Sequence, residues 1–351
     1  MPGPVVPTPE EVAWMLTRPH DSFIPNIIAC ATISLTAATI FVGLRLWSRR
    51  IVRGKLHLDV SDWFAVVAWF VYAAYTASIL ILTHYGLGKH IVFVTDSRLL
   101  GIFTVVAESL YAVTLALLKL SVLAVYRKLF GTSRIFRICT WAVSALVIEW
   151  LLQVLLATNL QCIPIAASWD PSLNGNCINY GLEALVAYLI NISTDLTILS
   201  LPIPIVLKLN ASKAQKRRLI ISFAAGGSAC IVSLVQLAYI TKLGAGADLS
   251  WTIVPSTLLG DVEMMVGFLA TSIATYRPLY QFIFTDSVTG RSGGSAESEF
   301  SNYGSGHKGN SYGIKVSVAT GDTSHIILGS RRGITVTDYI ELQSHEKTPA
   351  V

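Results

Sequence analysis

The chain has 351 residues, 53% of them hydrophobic and only 13% charged, with a net charge of +5. A typical soluble domain carries about 25% charged residues, and a soluble core could not hide this many long apolar runs. The basic residues are distributed between those runs, which is a topology and anionic-lipid signal; no nucleic-acid partner is expected.

A transmembrane helix needs about 20 mostly apolar residues to cross a hydrocarbon core about 30 Å thick. Seven stretches meet that length, at roughly 24–47, 63–83, 102–126, 138–158, 182–207, 219–240 and 253–276. Every backbone N–H and C=O in lipid must be satisfied within its own segment, so all seven are predicted helices. The expected fold class is an all-α, seven-transmembrane-helix bundle embedded in a lipid bilayer. It divides into an extracytoplasmic segment 1–23, a membrane domain 24–284 and a cytoplasmic tail 285–351. The proline-rich start lacks the basic n-region of a cleaved signal peptide, so the first span is expected to serve as its own insertion signal.

Arg45, Trp47 and Arg49 close the first span as expected interfacial anchors, and Asp62-Trp63 opens the second. The Gly86-Leu87-Gly88-Lys89-His90 segment follows the second span and reads as a tight re-entry turn. Tyr126-Arg127-Lys128 closes the third. Pro202 and Pro204 remove two backbone donors and should kink or end the fifth. Between the spans, segments on one side hold 13 Lys or Arg residues and those on the other hold 4. The positive-inside rule then places the N-terminus outside and the C-terminus in the cytoplasm, at the plasma membrane or an endomembrane. Residues 286–313 are rich in Ser, Gly and Asn, so the tail is expected to be disordered.

Cys30, Cys139 and Cys230 fall within or at the ends of spans and read as small buried hydrophobes. Cys162 and Cys177 share the loop between spans four and five, where an oxidising lumen permits a disulfide. A structural disulfide is predicted there, with two free thiols as the alternative.

Ionisable groups at membrane depth are costly and usually face the bundle interior or a wet cavity. Here they are Glu108 and Lys119 in the third span, Glu149 in the fourth, Asp195 in the fifth, and Asp261 and Glu263 in the seventh. Eleven residues separate Glu108 from Lys119, close to three helical turns, so they share a face about 16 Å apart. Tyr111 lies on that face, while Tyr188, Asn191 and Asp195 line one face of the fifth helix. Two readings follow. Lys119 and Asp195 form a structural ion pair, and Glu108, Tyr111 and Glu263 form an outer-half pocket for a cationic or hydroxyl-bearing small molecule. Alternatively, all of these groups serve as interhelical glue.

No catalytic nucleophile–base pair, metal-ligand set or phosphate-binding loop appears in usable context. No enzyme activity, metal or cofactor is expected. Retinal is not expected either, because residues 251–276 contain no lysine for a Schiff base.

An ordered set of motifs carries a family resemblance. It comprises Asp62-Trp63, Gly86-Leu87-Gly88-Lys89-His90, Glu108-Ser109-Leu110-Tyr111, Leu117-Leu118-Lys119-Leu120-Ser121 and Tyr126-Arg127-Lys128-Leu129-Phe130. These are followed by Cys162-Ile163-Pro164 with Trp169 and Cys177, Asp195 ahead of Leu201-Pro202-Ile203-Pro204, then Trp251, Glu263 and Tyr276-Arg277-Pro278-Leu279. Across residues 25–285 the chain resembles the fungal rhodopsin-domain integral membrane proteins. The acidic pair that usually opens span two in that family is split here into Asp59 and Asp62. The resemblance implies a membrane fold and a receptor-like, non-retinal sensor with a cytoplasmic signalling partner. The alternative is a transporter or accessory membrane component of a secondary-metabolite, mycotoxin-type pathway, since some members of the family are encoded in such gene clusters.

Overall fold

The computed structural model describes residues 7–53, 58–131, 133–168, 173, 175–204, 226–240, 248–273 and 275–276. Nearly all of these residues are helical. Six helices are long and apolar enough to cross a membrane. They are α2 (Ile24–Arg53), α3 (Val60–Tyr85), α4 (Ser97–Phe130), α5 (Arg134–Asn159), α6 (Tyr180–Ser200) and the continuous stretch formed by α8 (Leu249–Thr252) and α9 (Val254–Ile273). The expected sixth span is described only as α7 (Gly226–Ile240), which is apolar but shorter. The tail from 285 onward, Trp169 and the basic residues 208–218 lie outside the described residues.

Local chemistry sets the helix ends. Asp62 Oδ2 reaches back 3.0 Å to the Asp59 amide at the start of α3, satisfying a donor that the first turn leaves open. Asp96 Oδ1 accepts from the amides of Arg98 and Leu99, both at 3.0 Å, to open α4. Asn179 Oδ1 accepts from Leu182 N at 3.2 Å to open α6. That helix closes at Ser200, ahead of Pro202, in keeping with the missing donors there. Gly86 ends α3 at φ +123° with Val94 Cα 3.0 Å from where a Cβ would stand, so a side chain is excluded on both counts.

A short helix, α1 (Pro9–Leu16), precedes the bundle. Thr8 and Glu11 cap it reciprocally, with Glu11 N donating to Thr8 Oγ1 at 3.3 Å and Thr8 N to Glu11 Oε2 at 2.7 Å. It buries Met15 and sets Trp14 edge-on to His90, with ring centroids 5.5 Å apart. His90 in turn stacks on Trp251 and places Nδ1 2.5 Å from Asp248 Oδ2. The glycine-rich turn is thus tied to the start of α8.

α3 packs along α4, α4 along α5, and α9 against both α2 and α4. Tyr72, Val147, Met264 and Phe268 are among the core side chains, while Ile33, Phe70, Leu152 and Leu196 point outward and stay exposed. An apolar exterior on helices of this length suits a lipid surround.

Between α5 and α6 two short strands, β1 (Cys162–Ile163) and β2 (Asn176–Cys177), pair antiparallel with Cys162 opposite Cys177. A disulfide joins those two residues. At the other end of the bundle, Arg45 departs from the expected interfacial position. It is fully buried, with Nε 2.9 Å from Asp62 Oδ1 and Nη1 donating to Thr271 O at 2.9 Å. Arg49 reaches Asp59 and Asp62, each at 3.2 Å, and Lys128 Nζ lies 2.5 Å from Asp59 Oδ2. The split acidic pair therefore anchors three basic residues from α2 and α4, which explains why Arg45 can leave the headgroup layer.

Replacing either Cys162 or Cys177 by serine is expected to lower the yield of folded protein. Releasing a 15-residue loop removes about 3 kcal/mol of constraint on the unfolded chain. Non-reducing mass spectrometry of the wild type should recover the linked peptide.

Candidate functional site

The buried polar side chains converge on one layer across the bundle. Lys119, 7% exposed on α4, donates to Asn191 Oδ1 at 2.6 Å, Asn191 O at 3.0 Å and Thr194 Oγ1 at 2.8 Å. Its Nζ also lies 2.9 Å from Asp195 Oδ1, with the Trp150 ring centroid 5.3 Å away. One turn and a half of α6 thus supplies every polar acceptor that the ammonium uses, and α5 adds an aromatic face.

Asn191 carries the layer onward. Its amide nitrogen donates to Glu263 Oε1 at 3.0 Å while its oxygen accepts from Lys119. The two ends cannot be exchanged without setting donor against donor. Glu263 on α9 is 2% exposed and also accepts from Ser233 Oγ of α7 at 2.6 Å and from the Tyr111 hydroxyl of α4. Gln236, one turn along α7 from Ser233, donates to the Tyr188 hydroxyl at 2.7 Å and to Ser256 O at 3.1 Å.

A cavity flanks this layer on each side. The one toward the disulfide end has a volume of about 130 Å³ and includes Tyr75, Glu108, Tyr111, Trp150, Tyr188 and Gln236 in its wall. The one toward the Arg45–Asp62 end has a volume of about 90 Å³ and is lined by Lys119, Tyr126, Asp195, Glu263 and the small residues Gly226, Ala229, Gly267 and Ala270. Tyr111 and Asn191 face the first; Lys119, Asp195 and Glu263 face the second.

The residues singled out from sequence fall in distinct places. Glu108 lines the disulfide-end cavity, half-buried, and Tyr111 lies between that cavity and the layer. Glu263 does not share a wall with Glu108; it faces the opposite cavity. Lys119 and Asp195 are in contact. Asp261 sits apart among α2, α3 and α9, accepting from the Tyr72 hydroxyl at 3.2 Å. Glu149 points outward from α5, away from the layer.

Thr194, Ser233 and Gln236 carried no weight in the sequence. The available signal was a serine and a glutamine three residues apart in an otherwise apolar run, which puts both on one helix face.

The fungal rhodopsin domain matches residues 44–282. The chain belongs to the fungal rhodopsin domain family. Among the relatives of this family member, a SAT4 family membrane protein of Emericella nidulans is 36% identical over 135 residues, covering 37% of this chain and 35% of that protein. The polyenoic acids biosynthesis gene cluster protein Ba17b of Metarhizium anisopliae is 27% identical over 264 residues, 70% of each chain. Receptor GIN3 of Arthrobotrys oligospora is 27% identical over 220 residues, 61% of this chain and 52% of that protein. The chain thus spans about a third of the SAT4 relative and about half of the receptor. No solved structure matches it.

The geometry predicts unequal losses at the ion pair. Lys119→Met leaves Asp195 without the cation it contacts, and removing one partner of a buried pair typically costs about 3–5 kcal/mol. Asp195→Asn should cost less, because Asn191 and Thr194 still hold the ammonium. Adding Asp195→Asn to Lys119→Met should recover part of the larger loss. Thermal unfolding in detergent of the two single mutants and the double mutant reads this as a coupling energy; additive losses would show that the two do not interact.

Proposed function

We propose that this family member is a seven-span, receptor-like membrane sensor with its disulfide end outside and its charged end in the cytoplasm. The observation that carries the reading is the position of Tyr111. Its ring is part of the disulfide-end cavity wall, and its hydroxyl donates to Glu263, which lines the cavity at the other end. A ligand pressing on Tyr111 would therefore disturb the Glu263–Asn191–Lys119 hydrogen bonds and, through them, the packing of α4 on α6 and α9.

The cavity suits a small molecule. Its volume of about 130 Å³ is close to the about 150 Å³ of an engineered apolar cavity that binds benzene. The wall combines aromatic rings with Glu108, Gln236 and Asn191, and no Lys, Arg or His lines it among the described residues. These features favour a compact amine or hydroxyl-bearing ligand with an apolar body. The absence of lysine from 251–276 argues against a retinal Schiff base. A relative named as a receptor agrees with a sensing role.

A second reading is favoured by one specific observation, the pair of cavities separated by a single side-chain layer. Breaking and remaking that layer would open the site to one side and then the other, as a transporter requires. Relatives named for biosynthetic clusters suit a carrier or accessory role in secondary metabolism.

Two measurements separate these readings. A compound that raises the melting temperature of the wild type but not of a cavity-filling Ala184→Phe variant identifies a ligand of the cavity. In cells the sensor reading expects that compound to change proximity labelling of cytoplasmic proteins by a C-terminal tag, with no uptake of it into proteoliposomes. Saturable uptake instead would replace the sensor with the transporter. Tags before Glu10 should be reached by impermeant reagents on intact cells, and tags on the tail only after permeabilisation.

A further inference from the structure

The hydrogen bonds around Glu263 are satisfied by two protonation states with the same heavy-atom positions. Oε1 lies 2.6 Å from Ser233 Oγ and 3.0 Å from Asn191 Nδ2, and Oε2 accepts from the Tyr111 hydroxyl. Ser233 Oγ also lies 3.0 Å from the Ala229 carbonyl oxygen. A serine hydroxyl has one proton, so it serves one of these two acceptors at a time. When Glu263 is ionised, Ser233 donates to Oε1. When Oε1 is protonated, the carboxyl donates to Ser233 Oγ, whose own proton turns to Ala229 O. The second lone pair of Oε1 keeps the Asn191 bond in both states.

The charge balance of the layer points the same way. Among the described residues there, Lys119 is the one cation, while Asp195 and Glu263 are two carboxylates. Lys119 touches Asp195 directly and reaches Glu263 only through Asn191. The other titratable groups that face this part of α9 do not supply a second cation. From α4 and α6 they are the hydroxyls of Tyr111, Tyr126 and Tyr188, and from α7 the thiol of Cys230. From α3, Tyr72 and Tyr75 approach Asp261, on the same helix as Glu263. From α2, Cys30 is bound to Leu258 O, and Arg45 is committed to Asp62 and Thr271 O. An ionised Glu263 thus leaves one excess negative charge at membrane depth, where such a charge is costly.

Space for water adjoins the carboxyl on one side. Glu263 lines the cavity of about 90 Å³ together with Lys119 and Asp195, and a single water needs only about 10–15 Å³ of such space.

We propose that Glu263 is a reversible proton-binding site, loaded through the cavity at the Arg45–Asp62 end, which switches the buried layer between a net charge of minus one and neutrality. The site stands whether the protein senses its ligand or carries it, and under either role it makes the state of the layer depend on the pH of one compartment.

Infrared difference spectroscopy on the full-length protein in nanodiscs tests this. Acidification should produce a protonated-carboxyl C=O stretch that is missing from Glu263→Gln and retained in Asp195→Asn and Asp261→Asn. Absence of the band from folded wild type at every pH, its persistence in Glu263→Gln, or its loss in either aspartate variant instead would overturn the assignment. Ser233→Ala keeps the carboxyl and provides a second test should Glu263→Gln not fold. The carboxylate then loses a charge-assisted donor, which is roughly twice as strong as a neutral one. The midpoint of the band should move up by about one pH unit, an about tenfold tighter proton; an unmoved midpoint would refute the switch.

Discussion

Burying the Lys119 ammonium in the middle of an apolar bundle obliges the surrounding helices to converge on it. An ammonium removed from water must be paired and hydrogen-bonded or it destabilises the fold. α6 meets that need with Asn191, Thr194 and Asp195, and α5 closes the side with Trp150. Because Asn191 accepts at one end and donates at the other, it fixes where Glu263 must stand. Glu263 then fixes Ser233 of α7 and Tyr111 of α4. One charge on one helix thereby dictates the rotation of four others, and the cavities on either side follow from that arrangement.

The second charged cluster does different work. Arg45, Arg49 and Lys128 gather on Asp59 and Asp62 and hold α2, α3 and α4 together at one end of the bundle, while Arg45 also reaches the last turn of α9. At the opposite end the fastening is by ring stacking and a covalent link: His90 on Trp251 and Cys162 to Cys177. Both ends are thus tied by contacts independent of the layer, so rearrangement at Lys119 or Glu263 can proceed without releasing the helix ends.

How much of this was legible in the sequence depends on the cost of each residue. Lys119, Asp195, Glu108 and Glu263 stand out because charge in an apolar run is expensive and rare, and family order reinforced them. Asn191 was placed on the right face of its helix by spacing alone. Ser233 and Gln236 did not stand out, since a serine or glutamine in a span is inexpensive and its partner depends on helix rotation, which spacing does not supply. Arg45 was misplaced for a related reason: a basic residue near a helix end fits the headgroup layer equally well until Asp62 is known to lie opposite. Helix α1 was missed although Thr8 and Glu11 have the spacing of a capping box; the surrounding prolines obscured it. Glu108 and Glu263 line different cavities because Glu108 lies in the first third of α4 while Glu263 sits at the middle of α9, level with Asn191 and the layer, a difference in depth finer than assigning both to one half of the membrane.

One polar layer separates a cavity toward the disulfide end of the bundle from a cavity toward the Arg45–Asp62 end. Single cysteines on a background lacking Cys30, Cys139 and Cys230 test it directly, with the disulfide left intact and a membrane-impermeant thiol reagent applied to one face at a time. Ala187→Cys, beside the disulfide-end cavity, should react only from the face that carries the disulfide loop. Ala270→Cys, in the wall of the other cavity, should react only from the opposite face. Labelling of both positions from the same face would contradict the account.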